Sequence, residues 1–300
     1  MLQFLTYLFI AIYTATVIGI ILVVILGNRN PLKTIPWVVV LIFAPVVGLV
    51  FYFFFGQDLR RKRIISRRTY KRLMVYALPA HVRRSDAPVP AACQSLSTLL
   101  TNTSQAVSFY GSRLTHYGDG ASKMTALLEE IEKARDHIHI LYYIFCDDET
   151  GARLQQALIR KAKEGVKVRV LYDDVGCNGV KKEFFQQMRD AGAEVHALLH
   201  VRFPMLTDRV NYRNHRKIVV IDGRVGFIGG MNIADRYVRG TEWGSWRDTH
   251  FRIEGSGVAG LQVAFLSDWS ATTKRHVSGS EYFPAAQRYT DNILQIVAGG

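Results

Sequence analysis

The sequence predicts a layered α/β sandwich preceded by two membrane-spanning helices. Three observations carry this expectation. Two adjacent apolar runs free of charge open the chain, a strongly basic stretch follows them, and from Gly118 onward amphipathic helices alternate with short β-branched strands.

The first run, Phe4 to Leu26, has 23 residues and no charged side chain. That length suffices for a bilayer core of ~30 Å at about 1.5 Å rise per residue. It is too long for a signal-peptide core and lacks a basic leader. Ile35 to Phe55 repeats the pattern, with Pro45 inside it, and Gly27-Asn28-Arg29-Asn30-Pro31 reads as the turn between the two. A pair of buried core helices is the competing reading. The next stretch argues against it, because ten Lys or Arg and no acidic residue lie between Arg60 and Arg84. With only Arg29 and Lys33 in the intervening loop, the positive-inside bias puts the remainder of the chain in the cytoplasm, against the inner membrane. Much of the net charge of +13 sits in this stretch. Abutting an apolar span, it fits anionic lipid headgroups and not nucleic acid. It reads either as an interfacial basic helix or as a solvated topology signal, and Ala77 to Ala92, with three prolines, reads as a linker.

Beyond the linker, Ala121 to Asp136 is an amphipathic helix with Met124, Leu127, Leu128 and Ile131 at helical spacing, and His137 to Phe145 is a strand. Helices at Gly151 to Glu164 and Val180 to Ala191, each followed by glycine, alternate with strands at Val166 to Tyr172 and Ala193 to Leu199. Strands at Ile218 to Ile221, Val225 to Ile228 and Thr249 to Ile253 follow, and a helix at Val258 to Ser270 closes the series. No glycine-rich phosphate loop occurs, so ordinary nucleotide binding has no local support. Cys93, Cys146 and Cys177 are too few and scattered for a disulfide framework or a zinc site. His137 and His139 share a strand face, but no ligand cluster follows at metal spacing, and no metal or other cofactor is expected. Asp147, Asp148, Asp173 and Asp174 end strands and are expected to cap the helices that follow. Tyr142 and Tyr143 either line a cleft or pack.

The chemistry concentrates at Asn211-Tyr212-Arg213-Asn214-His215-Arg216-Lys217, followed by a β-branched run, Asp222-Gly223 and the turn Gly229-Gly230-Met231-Asn232. His215, Lys217 and Asp222 have the spacing H-x-K-x-x-x-x-D. On a strand, His215, Lys217, Val219 and Ile221 share one face, so an imidazole and an ammonium emerge side by side, an arrangement suited to a phosphate. Asp222 falls on the opposite face.

These residues resemble the signature of the phospholipase D superfamily. Tyr142-Tyr143-Ile144-Phe145, Trp246-Arg247-Asp248-Thr249-His250 and the N-terminal hydrophobic pair resemble bacterial cardiolipin synthases more narrowly. The resemblance implies a phospholipase D-like half-domain at residues 93–270, after a hairpin at 1–56 and a basic segment and linker at 57–92. It implies His215, Lys217 and Asp222 as the catalytic set, with His215 as nucleophile forming a phosphohistidine and Lys217 as the cation for the non-bridging oxygens. Asn232, Gly229 and Gly230 bind the phosphate, Asp248 orients His215 with Glu242 as the alternative, and Asp222 anchors the strand and turn instead of moving protons.

The same resemblance implies transfer of a phosphatidyl group between two phosphatidylglycerol molecules at a membrane, giving cardiolipin and glycerol. Other readings are hydrolysis of a phospholipid or nucleic acid, and lipid binding without turnover. The superfamily carries two such motifs, whereas only His215 of the nine histidines has Lys two residues later. The chain is therefore expected to be an incomplete, inactive half, residues 271–300 connecting to a missing second half-domain that begins near Asn292 to Ala298 and supplies the acid in cis. A homodimer is the other way to complete the site.

Overall fold

The computed structural model describes residues 2–27, 31–44, 47–48, 51–52, 87–199 and 213–298. They fall into two compact units, one holding the N-terminal helices and the other the residues from 87 to 199 and 213 to 298. The expected basic segment at Arg60 to Arg84, Pro45 and the motif's first two residues, Asn211 and Tyr212, lie outside the described residues.

In the first unit, α1 (Leu2–Gly27) has 26 residues, about 39 Å of helix. Helix α2 (Pro31–Phe43) has 13, about 20 Å. The expected second span, Ile35 to Phe55, is described only in part: Ala44, just before a proline, is a bend, and the Gly48 N–H bonds back to the Ala44 carbonyl at 2.5 Å. Among the described residues no helix is long and apolar enough to cross a membrane. The two membrane-spanning helices expected from the sequence are therefore not supported by the described residues.

The second unit opens with α3 (Ala91–Ser104), an exposed helix that starts inside the expected linker. Its core is a seven-stranded mixed sheet built from β2 (Arg113–Tyr117), β3 (His137–Tyr142), β4 (Lys167–Asp173), β5 (Glu194–Leu198), β6 (Ile218–Ile221), β7 (Val225–Gly229) and β8 (His250–Glu254). The strand order is β2-β8-β7-β6-β3-β4-β5, with β3, β4 and β5 parallel and every other pairing antiparallel. Helices α4 (Gly120–Lys133), α5 (Glu149–Lys163) and α6 (Lys182–Asp190) cover one face. Helix α8 (Val258–Thr273), which follows the short α7 (Asp235–Arg239), covers the other. Strand β6 is buried on both sides: Val219 and Ile221 pack toward α4, α5 and α6, while Ile218 and Val220 pack toward α8. This is why it reads as a continuous β-branched run.

The strand expected near Asn292 forms as β9 (Ile293–Gln295), and it turns back to pair antiparallel with β1 (Ser108–Tyr110). Leu294 and Ile296 then pack against the core on the α8 side.

At the far end of β6, Asp222 takes a left-handed φ of 52° in the turn to β7. Its carboxylate accepts the backbone N–H groups of Arg135, Asp136 and His137, each at 2.9 Å. It thereby ties the β6 turn to the start of β3. Asp222→Ala leaves three donors without this acceptor, and urea unfolding of the variant is expected to show a loss of about 2–4 kcal/mol. A loss under about 0.5 kcal/mol would remove the anchoring role from Asp222.

Candidate active site

Antiparallel pairing brings the entry to β6, the exit of β7 and the entry to β8 to the same edge of the sheet as the exit of β3. Ile218 pairs with both Leu141 and Ile228, and Gly229 with His250. Residues 142–145, 213–217, 229–232 and 248–250 therefore gather there.

His215 to Lys217 precede β6 and are not themselves strand residues. What holds them extended is a set of side-chain anchors. Asn214 Nδ2 donates to Asp268 Oδ2 at 3.0 Å, and Arg216 Nη1 reaches both oxygens of the same carboxylate at 2.7 Å. Asp268 lies on α8. With the residues on either side of it pulled toward α8, His215 is left exposed, and Lys217 has the parity of Val219 and Ile221. Arg213 is fixed by the buried Asp173 through Nε at 2.9 Å and Nη2 at 2.7 Å. The expectation that Asp173 caps a helix is thus corrected: it accepts Val175 and Gly176 N–H in its own loop and clamps the motif. Asp148 does cap α5, accepting from Gly151 N–H at 3.0 Å.

The Lys217 ammonium is buried and donates to the His215 carbonyl at 2.7 Å. Burial lowers its pKa, and the charge of Asp248 acts in the opposite sense. The imidazole of His215 stacks on Tyr143, with ring centroids 4.1 Å apart and planes inclined by 18°. Tyr143 is the contact that sequence reading left undecided. Tyr142, by contrast, is fully buried and accepts a hydrogen bond from Lys123 Nζ at 2.8 Å.

Among the described residues no hydrogen bond joins Asp248 to the His215 ring. Its Oδ1 accepts the N–H of Thr249 at 2.7 Å, and its carboxylate lies against Gly230, where an added Cβ would stand 2.0 Å from Oδ1. Glu242, the alternative, is exposed on the preceding loop. The same geometry revises the reading of both glycines. A Cβ on Gly229 would fall 2.4 Å from the Thr249 carbonyl oxygen, so both positions are small because β8 and Asp248 press on them. Asn232 is buried, with Oδ1 accepting Ile144 N–H at 3.0 Å and Nδ2 donating to the Tyr237 hydroxyl at 2.7 Å. One amide N–H is thus already used inside the protein.

Beneath the site lie two groups to which the sequence reading gave no role. Lys123 is fully buried, and desolvation pushes its pKa down to about 7. His250 is also fully buried, and neither of its ring nitrogens has a hydrogen-bond partner among the described residues. Desolvation, together with the charges of Lys123 and Lys217, lowers the His250 pKa to about 2, so this ring stays neutral. His137 and His139 sit on the α8 side against Tyr282, with His139 also stacked on Phe265, as packing residues. Among the described residues no three His, Cys, Asp or Glu side chains converge to hold a metal.

Comparison with known proteins gives this arrangement a context. Residues 127–246 match the family described as cardiolipin synthase, PLD-like domain, and residues 14–57 the family described as phospholipase D-nuclease N-terminal. The chain is 35% identical over 307 residues to a cardiolipin synthase of Listeria innocua, covering 99% of this chain and 64% of that protein. It is 36% identical over 291 residues to the major cardiolipin synthase ClsA of Bacillus subtilis, covering 93% of this chain and 60% of that one. The chain therefore spans less than two thirds of the length of these relatives. Among solved structures, a phospholipase D family member, Nuc from Salmonella typhimurium, aligns over 56% of this chain and 98% of its own, with a TM-score of 0.41 and 15% identity.

The buried lysine yields a pH test. Lys123 has a folded pKa of about 7, whereas an unfolded lysine titrates near ~10.4. Between these values the unfolded chain holds a proton that the folded one has released, so stability rises with pH across the window. Urea unfolding followed from neutral to alkaline pH is expected to show this rise in the parent and a flatter profile in Lys123→Met. Identical slopes would contradict the assignment.

Proposed function

We propose that the chain acts in transfer of a phosphatidyl group between two phosphatidylglycerol molecules, a reading supported by the match of residues 127–246 to the cardiolipin synthase, PLD-like domain family and by 35–36% identity to cardiolipin synthases. The carrying observation is the exposed His215 imidazole set beside the buried Lys217 ammonium on a segment clamped by Asp173 and Asp268.

In this reading a neutral His215 nitrogen attacks phosphorus. A P–N bond forms as the P–O bond to glycerol breaks, and the glycerol oxygen takes a proton from an acid across the phosphate. The hydroxyl of a second phosphatidylglycerol then displaces the histidine, giving cardiolipin and glycerol overall. Lys217 neutralises the non-bridging oxygens as phosphorus becomes five-coordinate, and the second N–H of Asn232 is the further donor. Gly229 and Gly230 shape the turn beside the phosphate. Asp248 serves through its charge on Lys217, a positioning role that replaces the expected hold on His215. The acid is the histidine of a second phospholipase D half-domain, in the same polypeptide or in a second copy. The catalytic half-domain is the unit built on the seven-stranded sheet. Phe4 to Leu26 anchors it to the inner membrane, and the basic stretch from Arg60 to Arg84 gathers anionic lipid on the cytoplasmic side.

Two experiments test this. With the acid-supplying half-domain present, liposomes of phosphatidylglycerol alone are expected to yield cardiolipin and glycerol in equal amounts, and phosphatidic acid as the sole product would replace transfer with hydrolysis. The chain by itself is expected to react with a p-nitrophenyl phosphodiester of diacylglycerol, whose leaving group departs without protonation. Intact-mass analysis should find a phosphatidyl adduct on the parent, none on His215→Ala, and at least about tenfold slower labelling of Lys217→Ala. Equal labelling of the His215→Ala protein would sink the nucleophile assignment.

A further inference from the structure

Tyr143 follows the last residue of β3 and is half-buried, yet its ring is committed to the motif. It lies nearly parallel to the His215 imidazole at 4.1 Å, and the Lys217 ammonium stands 5.6 Å from the centroid of the same ring. The chain behind it is fixed from three directions. Gly176 comes so close that an added Cβ would fall 2.1 Å from the Tyr143 carbonyl oxygen and 2.9 Å from its ring. The Cys177 thiol donates to that carbonyl at 3.6 Å, and the next N–H, of Ile144, is held by Asn232. Asp173 binds the loop N–H groups of Val175 and Gly176 and also the Arg213 guanidinium, so one carboxylate positions both the support of Tyr143 and the segment bearing His215.

A parallel stack fixes the plane of the imidazole while leaving the ring edge, with both nitrogens, clear for reaction. It also favours a cation. When a neutral imidazole nitrogen takes a phosphatidyl group, the ring becomes an N-phosphorylated imidazolium, and an electron-rich aromatic face attracts positive charge. Such a contact is stronger in the transition state than in the ground state, the condition for raising turnover and not merely binding.

We propose that Tyr143 is a positioning residue for the His215 nucleophile, holding its plane and stabilising the imidazolium that forms on attack. The proposal rests on the phosphohistidine reading above. The electron-rich face is the operative part, so the hydroxyl is dispensable.

The test pairs the labelling rate of His215 by the p-nitrophenyl ester with the NMR shifts of the His215 ring protons in the unreacted protein, which a stacked aromatic face moves upfield. Tyr143→Phe is expected to label within about threefold of the parent and to keep the upfield shifts. Tyr143→Leu is expected to label about 5–30-fold more slowly at saturating ester, with little change in half-saturation, and to lose them. Should the leucine variant fail to fold, pentafluorophenylalanine at position 143 keeps the ring shape while withdrawing its electrons, and is expected to reproduce the slower labelling. Equal loss in the phenylalanine and leucine proteins would overturn the proposal in favour of the hydroxyl. Labelling of the pentafluorophenylalanine protein at the parental rate would also overturn it, as a packing effect. Absence of any adduct on the parent would count against the phosphohistidine itself, while the ring shifts still judge the stack.

Discussion

One buried carboxylate organises the catalytic edge of this molecule. Asp173, at the end of β4, is 1% exposed and receives the Arg213 guanidinium, the Asn214 N–H and two N–H groups of its own loop. A charge removed from water this completely is tolerated only when paired and hydrogen-bonded on every side. The requirement works in both directions: the ion pair needs the loop and the motif segment to be in place, and each of them is placed by it. Asp268, on α8, does the same for Asn214 and Arg216. Between the two, His215 is held through its chain neighbours, by the bond from Lys217 to its carbonyl and by the stack on Tyr143.

The cationic side of the site is under-compensated. Lys217 and Lys123 are both buried with lowered pKa values, and the carboxylate whose charge acts on Lys217 is Asp248. His250 adds no charge at neutral pH but also offers no acceptor bond to either ammonium among the described residues. Under the proposed function, a phosphodiester monoanion beside His215 would bring negative charge into a region of low dielectric, where it is worth more than in water. In that reading the fold holds part of the transition-state stabilisation in advance, at a cost to the empty protein.

The legible parts of the sequence were those governed by local pattern. Strands β3, β4 and β6 announce themselves as β-branched runs because they are buried on both faces, and α5 and α6 by their apolar spacing and the glycines that end them. Strand β2, Arg-Leu-Thr-His-Tyr at the sheet edge, and the short β1 and α7 carry no such period, because little of each faces the core. At the site, His215, Lys217 and the anchoring of Asp222 could be read from spacing and strand parity. Tyr143 and the two clamping aspartates could not, since the contacts join residues 40 to 72 positions apart, and no periodicity encodes a partner at that distance. Gly229 and Gly230 illustrate a related limit: the sequence shows that something comes close, but only the fold reveals that it is β8 and Asp248.

The position of β6 in the sheet has a consequence for the order of assembly. Strands β3, β4 and β5 with their connecting helices pair with near neighbours in sequence, whereas β6 joins β3 through contacts such as Asp222 to His137, separated by 85 residues. Closing so long a loop carries a larger entropic cost than closing the short βαβ units, which can form first, even during synthesis. The nucleophile-bearing segment is then threaded onto a half-built sheet between an existing strand and the β7–β8 ribbon. A nascent chain therefore has a stable scaffold before His215 and Lys217 are brought beside Tyr143, and the candidate site is assembled only when the longest-range closure is complete.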